Sequence, residues 1–196
     1  MTYNKPETKL DECIFIAEKI IPDDFCDAIV QDIETRPWES HHWYSNSKDT
    51  RHSEETKELD VQTATPELHK GLVPFIVDAG RQYNQTYAFA ESSKTTQMMD
   101  YFNILRFNRY APGQIMRQHV DHIHSIFDGN HKGVPVLSFI LNFNDDYEGA
   151  ELFFWKDTVV ELGKGDIVMF PSNFLFPHGV TEATKGKRYS AVTWGW

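Results

Sequence analysis

The chain is poor in cysteine: only Cys13 and Cys26 occur in 196 residues. Two thiols are too few for a disulfide framework, and they read instead as core residues of a first strand and helix. Long apolar runs are missing too. No window approaches the length that crosses a bilayer, and Met1–Glu12 is polar and mixed in charge, without the apolar stretch of a secretory signal. A soluble, cytoplasmic protein with no membrane partner is the expectation. Positive charge is in deficit: 19 Lys and Arg stand against 29 Asp and Glu, for a formal net charge of -10. No basic patch in the sequence offsets that field, which argues against a nucleic acid partner. A peptide or protein substrate, or a small metabolite, is expected instead. Repeats and low-complexity tracts are absent, and the length suits one domain, 1–196, with a single core.

Aromatic residues are plentiful at 14%, which fits β-strands and an aromatic-lined cavity. Residues Cys13–Ile21 are apolar and β-branched, as a first strand would be. Pro22-Asp23-Asp24 opens a helix with an acidic first turn, and Phe25, Ile29, Val30 and Ile33 follow at helical spacing. Thr35–Thr65 is polar and irregular, a long loop. Pro66 opens a second helix, to about Tyr87, with Leu68, Leu72, Phe75, Ile76, Ala79 and Tyr83 on one side. From Met98 the character changes. Short apolar segments alternate with turn signals such as Ala111-Pro112-Gly113 and Gly163-Lys164-Gly165. Strands are expected near Tyr101–Asn108, Ile115–Asp121, Pro135–Phe143, Glu151–Trp155, Thr158–Leu162, Asp166–Phe170, His178–Glu182 and Arg188–Trp194. The fold class is α+β: residues 1–97 supply a strand, helices and a loop, and 98–196 a sandwich or barrel carrying the helices on one face.

Gln118-His119-Val120-Asp121-His122 carries the first chemical signal. In a strand, His119 and Asp121 would face the same way, about 6.6 Å apart. A second histidine from a distant strand would complete two imidazoles and one carboxylate, a facial set that leaves positions open and suits Fe(II). His178 stands ten residues before Arg188 at the start of the last strand. There Arg188, Ser190, Val192 and Trp194 share a face. A buried arginine needs an anionic partner, and its planar fork suits a carboxylate.

The order Tyr110-x-x-Gly113, His119-x-Asp121, Gly149-Ala150-Glu151-Leu152, His178, Arg188-x-Ser190 resembles the 2-oxoglutarate- and iron(II)-dependent oxygenases, most closely their prolyl hydroxylase-like branch. The resemblance covers roughly residues 98–196 and implies a double-stranded β-helix core of jelly-roll or cupin type. It implies Fe(II) on His119, Asp121 and His178, and 2-oxoglutarate on Arg188 with help from Tyr110 and Ser190. O2 is then the second co-substrate, with ascorbate as a possible reductant. Trp194 matches a tryptophan lining the substrate side. Thr50-Arg51-His52-Ser53 is similar to an Arg-x-Ser element over the peptide site, which makes Arg51 a substrate-binding candidate. There are departures from the branch. Collagen-type enzymes usually carry lysine where Arg188 stands, and Lys132-Gly133 lies where they often have an arginine. Arginine at that place is usual in oxygen-sensing and many bacterial relatives, and the second departure argues against a collagen-like substrate. The implied activity is hydroxylation of a peptidyl proline, giving succinate and CO2. The same chemistry on a free amino acid or metabolite, and a non-catalytic cupin-like metal module, are the alternatives.

Overall fold

A computed structural model describes residues 9–41, 43–44, 51–52, 58–87, 99–121 and 134–196, with 43–44 and 51–52 by their backbone alone. In chain order the elements are β1 (Phe15–Ala17), α1 (Asp23–Glu34), β2 (Glu39–Ser40), β3 (Trp43–Tyr44), β4 (Arg51–His52), β5 (Asp60–Thr63) and α2 (Pro66–Tyr87). The second half holds β6 (Arg106–Tyr110), β7 (Met116–His119), β8 (Leu137–Asn142), β9 (Glu148–Gly149), β10 (Leu152–Phe154) and β11 (Thr158–Val160). It closes with β12 (Ile167–Pro171), β13 (His178–Val180), β14 (Ala183–Lys185) and β15 (Arg188–Gly195).

The strands build a seven-stranded sheet, in the order β1-β12-β8-β15-β6-β5-β2, and a four-stranded sheet, β11-β10-β13-β7. Every pairing in both is antiparallel. Because side chains alternate along a strand, the large sheet has two different faces. Phe107, Phe139, Leu141, Ile167, Met169, Tyr189 and Ala191 point one way, into a core shared with the helices. Ile29 and Ile33 of α1 and Leu72, Ile76, Ala79 and Tyr83 of α2 meet them there at helical spacing. Val168, Phe170 and Ile140 point the other way, into a second core closed by Met116, Leu152, Phe154 and Val180 of the small sheet. The two facing sheets make the expected double-stranded β-helix, and the helices cover one outer face. Among the described residues, no helix is long and apolar enough to cross a membrane.

Several boundaries differ from the sequence reading. The first strand shrinks to Phe15–Ala17, because Leu10–Cys13 folds into a 3-10 turn. Cys13 therefore sits half-buried outside the strand, whereas Cys26 is buried in α1 as expected. The loop expected over Thr35–Thr65 contains β5, whose partner β6 lies far along the chain. Its sequence, Asp60-Val61-Gln62-Thr63, has no apolar pattern to reveal it; it is held by ladder hydrogen bonds rather than burial. The strand expected from Tyr101 begins only at Arg106, and β7 ends at His119, leaving Asp121 in the bend that follows.

Candidate active site

His119 ends β7, and His178 begins β13. The two are directly opposed across that pair, with ring centroids 4.4 Å apart. Each ring is steered by its own strand. His119 Nδ1 lies 2.9 Å from the Arg117 carbonyl oxygen, and His178 Nδ1 lies 3.1 Å from that of Phe176. A carbonyl only accepts, so each Nδ1 carries the proton and each Nε2 presents a lone pair. Asp121 meets both: its Oδ1 is 3.4 Å from His119 Nε2 and its Oδ2 is 3.8 Å from His178 Nε2. One ligand atom from each residue falls within a 4.8 Å cluster, a set that could hold a metal ion.

Asp121 reaches the cluster although it has left the strand, because Ser138 holds it. The Ser138 hydroxyl donates to Asp121 Oδ2 at 2.6 Å and is itself 2.6 Å from the Ser172 hydroxyl. Burial alone would raise the Asp121 pKa; His178, His119 and the Ser138 hydroxyl overcome it and hold the carboxyl well below its ordinary range. Burial pushes the His178 pKa down, against the pull of Asp121. A neutral imidazole beside an ionised carboxylate is the form that ligates. Phe154 and Phe170 flank the His178 ring and exclude water from its far side.

The inner face of the large sheet forms the opposite wall. Register places Tyr110 beside Arg188, Ser190 between Asn108 and Asn142, Arg106 beside Val192, and Ser138 beside Trp194. Arg188 is 1% exposed, so the placement of its charge matters. Its Nε donates to Asn142 Oδ1 at 3.0 Å and its Nη1 to the Ala150 carbonyl at 2.9 Å. Asn142 is oriented for this because its Nδ2 is spent on the Asn144 and Gly163 carbonyls. The rings of Tyr110 and Tyr147 stand 5.7 and 5.9 Å from the guanidinium. No carboxylate pairs with Arg188 among the described residues, and the Nη2 donors remain for a ligand. Burial pushes the Tyr110 pKa up to about 12 despite Arg188, so its hydroxyl is a donor at neutral pH.

The Gly149-Ala150-Glu151 turn serves that arginine. Gly149 has φ 72° and Ala150 φ 50°, and a Cβ at Gly149 would collide with the Glu182 carbonyl oxygen. The left-handed step at Ala150 costs about 1–2 kcal/mol and turns its carbonyl onto Arg188.

Of the residues singled out from sequence, His119, Asp121 and His178 come together as one cluster. Tyr110, Arg188, Ser190 and Trp194 share the wall facing it. Arg51 lies in β4, paired with Tyr44 by backbone; its side chain, Thr50 and Ser53, and with them the loop element over a peptide site, lie outside the described residues. So do His122, Lys132 and Gly133. Sequence reasoning missed Asn142, Ser138, Ser172 and Arg106. A signal existed for three of them. Ser138 and Asn142 interrupt an apolar strand four residues apart, on one face, and Arg106-x-Asn108-x-Tyr110 puts polar groups on one face of β6.

Residues 105–196 match the family described as the 2OG-Fe(II) oxygenase superfamily. That segment is just under half of the chain. The sequence is similar to PKHD-type hydroxylases: 37% identical over 94 residues to one from Idiomarina loihiensis, covering 44% of this chain and 39% of the relative. For one from Caulobacter vibrioides the identity is 34% over 94 residues, covering 45% and 40%. The chain thus spans roughly two fifths of the length of these curated relatives. In fold, it resembles a prolyl-4-hydroxylase from Pseudomonas putida (TM-score 0.65, 19% identity, 93% of this chain and 91% of that one). It also resembles a prolyl hydroxylase from Trichoplax adhaerens, solved with a hypoxia inducible factor peptide fragment (TM-score 0.67, 12% identity, 94% and 83%). The cofactors of a 2OG-Fe(II) oxygenase, Fe(II), 2-oxoglutarate and O2, fit this donor set: two imidazoles and a carboxylate for the metal and a buried guanidinium for a dicarboxylate.

Proposed function

We propose that the chain is a 2-oxoglutarate- and Fe(II)-dependent dioxygenase that hydroxylates an unactivated C–H bond, with a proline-containing peptide as the leading substrate. The observation that carries this reading is the pairing of two features on the facing sheets: a cluster of two imidazoles and one carboxylate, and a buried arginine with no carboxylate partner among the described residues. A structural metal site needs no such arginine, which favours catalysis over a passive cupin-like module.

His119, Asp121 and His178 would hold the iron on one side, leaving its other side open. When bound, the iron supplies activation of O2 while 2-oxoglutarate is converted to succinate and CO2, with ascorbate as an accessory reductant. Arg188 fixes the far carboxylate of 2-oxoglutarate, the Tyr110 hydroxyl donates to it, and Ser190 lies one register step further along the same face. Ser138 holds Asp121 so that its free lone pairs face the metal. Phe154 and Phe170 keep water from His178. Trp194 lines the substrate side, and Arg51 is proposed to contact a peptide there.

The deciding experiment is succinate formation by anaerobically iron-loaded protein given 2-oxoglutarate and O2, with and without proline peptides. Peptide-stimulated succinate, with one oxygen gained on proline, supports the reading. Succinate that no peptide stimulates points to a free amino acid or metabolite. Absence of succinate despite stoichiometric iron refutes the dioxygenase.

A further inference from the structure

Arg106 is a second arginine on the inner wall, four residues before Tyr110 on the same strand. It is half-buried on β6, between the registers of Thr63 and Val192. Its Nε donates to Asn108 Oδ1 at 3.2 Å, and its guanidinium stands 5.8 Å from the centre of the Trp194 ring. The terminal nitrogens have no hydrogen-bond or carboxylate partner among the described residues. Burial pushes its pKa down, opposed by Tyr110 and Asp121, which are near enough to act on it. Trp194 Nε1 is buried and has no partner among the described residues. A half-buried guanidinium and a buried indole N–H, neither with its terminal donors met among the described residues, therefore stand together on one wall.

Their position separates them from the co-substrate arginine. Along β15, Arg106 pairs with Val192, four residues beyond Arg188, or about 13 Å along the strand. Arg188 stands at one end of the inner wall. Arg106 and Trp194 stand at the other, where Ser138, the register partner of Trp194, holds Asp121. Charge points the same way. Asp121 is shared with the metal, and Glu58 is taken by Arg117 at 2.7 Å. A doubly charged 2-oxoglutarate does not cancel a divalent ion together with both arginines.

We propose that Arg106, with the Trp194 indole N–H, anchors a carboxylate of the substrate that is oxidised. The site then prefers a carboxylate-bearing molecule, a free amino acid or a carboxylate-ended peptide, over an uncharged internal stretch of chain. This rests on the dioxygenase reading and narrows its substrate class.

The test uses Mn(II)- and 2-oxoglutarate-loaded protein without O2, titrated with a panel of free L-amino acids, their N-acetyl forms and the matching carboxamides. Proline peptides with free and amidated C-termini complete the panel, with calorimetry as the readout. At least one carboxylate is expected to bind about 10- to 100-fold tighter than its amide. Arg106→Gln should erase that preference, Arg106→Lys should keep part of it, and both should keep the wild-type circular dichroism and 2-oxoglutarate affinity. Free amino acids against peptide termini decide which carboxylate source is preferred. No carboxylate preference anywhere in the panel overturns the proposal. So does a preference that survives Arg106→Gln, or a loss of 2-oxoglutarate affinity in that variant. A parallel succinate assay separates the two readings. Carboxylate preference without succinate overturns the dioxygenase alone, and succinate without carboxylate preference overturns the anchor alone.

Discussion

Replacing Arg188 with methionine should separate binding from stability. The guanidinium is 1% exposed and has no carboxylate partner among the described residues, and withdrawing such a charge from water costs several kcal/mol. Its hydrogen bonds to Asn142 and Ala150 return about 1.5–3 kcal/mol each. Methionine removes the desolvation but leaves two acceptors unmet, at about 1–3 kcal/mol each. The terms oppose one another, so the unliganded variant should unfold within about 2 kcal/mol of the parent. The liganded state is different. Breaking a buried charge pair costs about 3–5 kcal/mol, which weakens 2-oxoglutarate by about 100- to 4,000-fold. Denaturant melts of anaerobic Mn(II)-loaded protein read both quantities. At 100 times its Kd, 2-oxoglutarate should stabilise the parent by about 2.7 kcal/mol and Arg188→Met scarcely at all. A variant several kcal/mol weaker without ligand, yet showing the full ligand-induced gain, would refute the co-substrate role and make Arg188 a structural residue.

Asp121→Asn should abolish metal binding, and Ser138→Ala should weaken it by about 10- to 100-fold; equilibrium dialysis with Mn(II) checks both, and an unchanged Ser138→Ala affinity removes the hydroxyl from the site. Gly149→Ala would put a Cβ against the Glu182 carbonyl at φ 72° and should cost about 1–3 kcal/mol while loosening 2-oxoglutarate through Ala150; a urea midpoint equal to the parent's would sink that account. Glu34 is desolvated, which raises its pKa, but Lys187 and Arg109 outweigh this and the net shift is downward from 4.5. Its stabilisation is thus present above the ordinary carboxylate range and lost as pH falls through the lower folded value. Glu34→Gln should lower stability by about 1 kcal/mol or less at pH 7 and by nothing near pH 2, and a difference that persists in acid would contradict the ion pairs.

The second helix was legible end to end because Pro66 marks its start and Leu72, Ile76, Ala79 and Tyr83 keep one spacing throughout. The strands of the second half were legible from apolar runs and turns. β5 was not, since its stability comes from a partner more than forty residues away, and local pattern does not encode that. His119, Asp121, His178 and Arg188 could be read because metal and carboxylate chemistry restricts residue type at fixed order. The reading of Asp121 as part of a strand failed for a specific reason. Ser138 draws it out of the ladder, and a hydroxyl on a strand that pairs elsewhere leaves no trace beside the His-x-Asp motif. Arg106 was hidden similarly: in the sequence it is one cation among 19, and only register brings it beside Trp194.

The backbone carbonyls of Arg117 and Phe176 each fix the proton of the imidazole two residues later. Both rings are therefore oriented from within their own strands, whatever the opposite strand does. An arriving ion would find neither a tautomer to exchange nor a rotamer to search. Its capture would be paced by the shedding of its own water shell, and metals that exchange water slowly should load slowly even where they bind tightly.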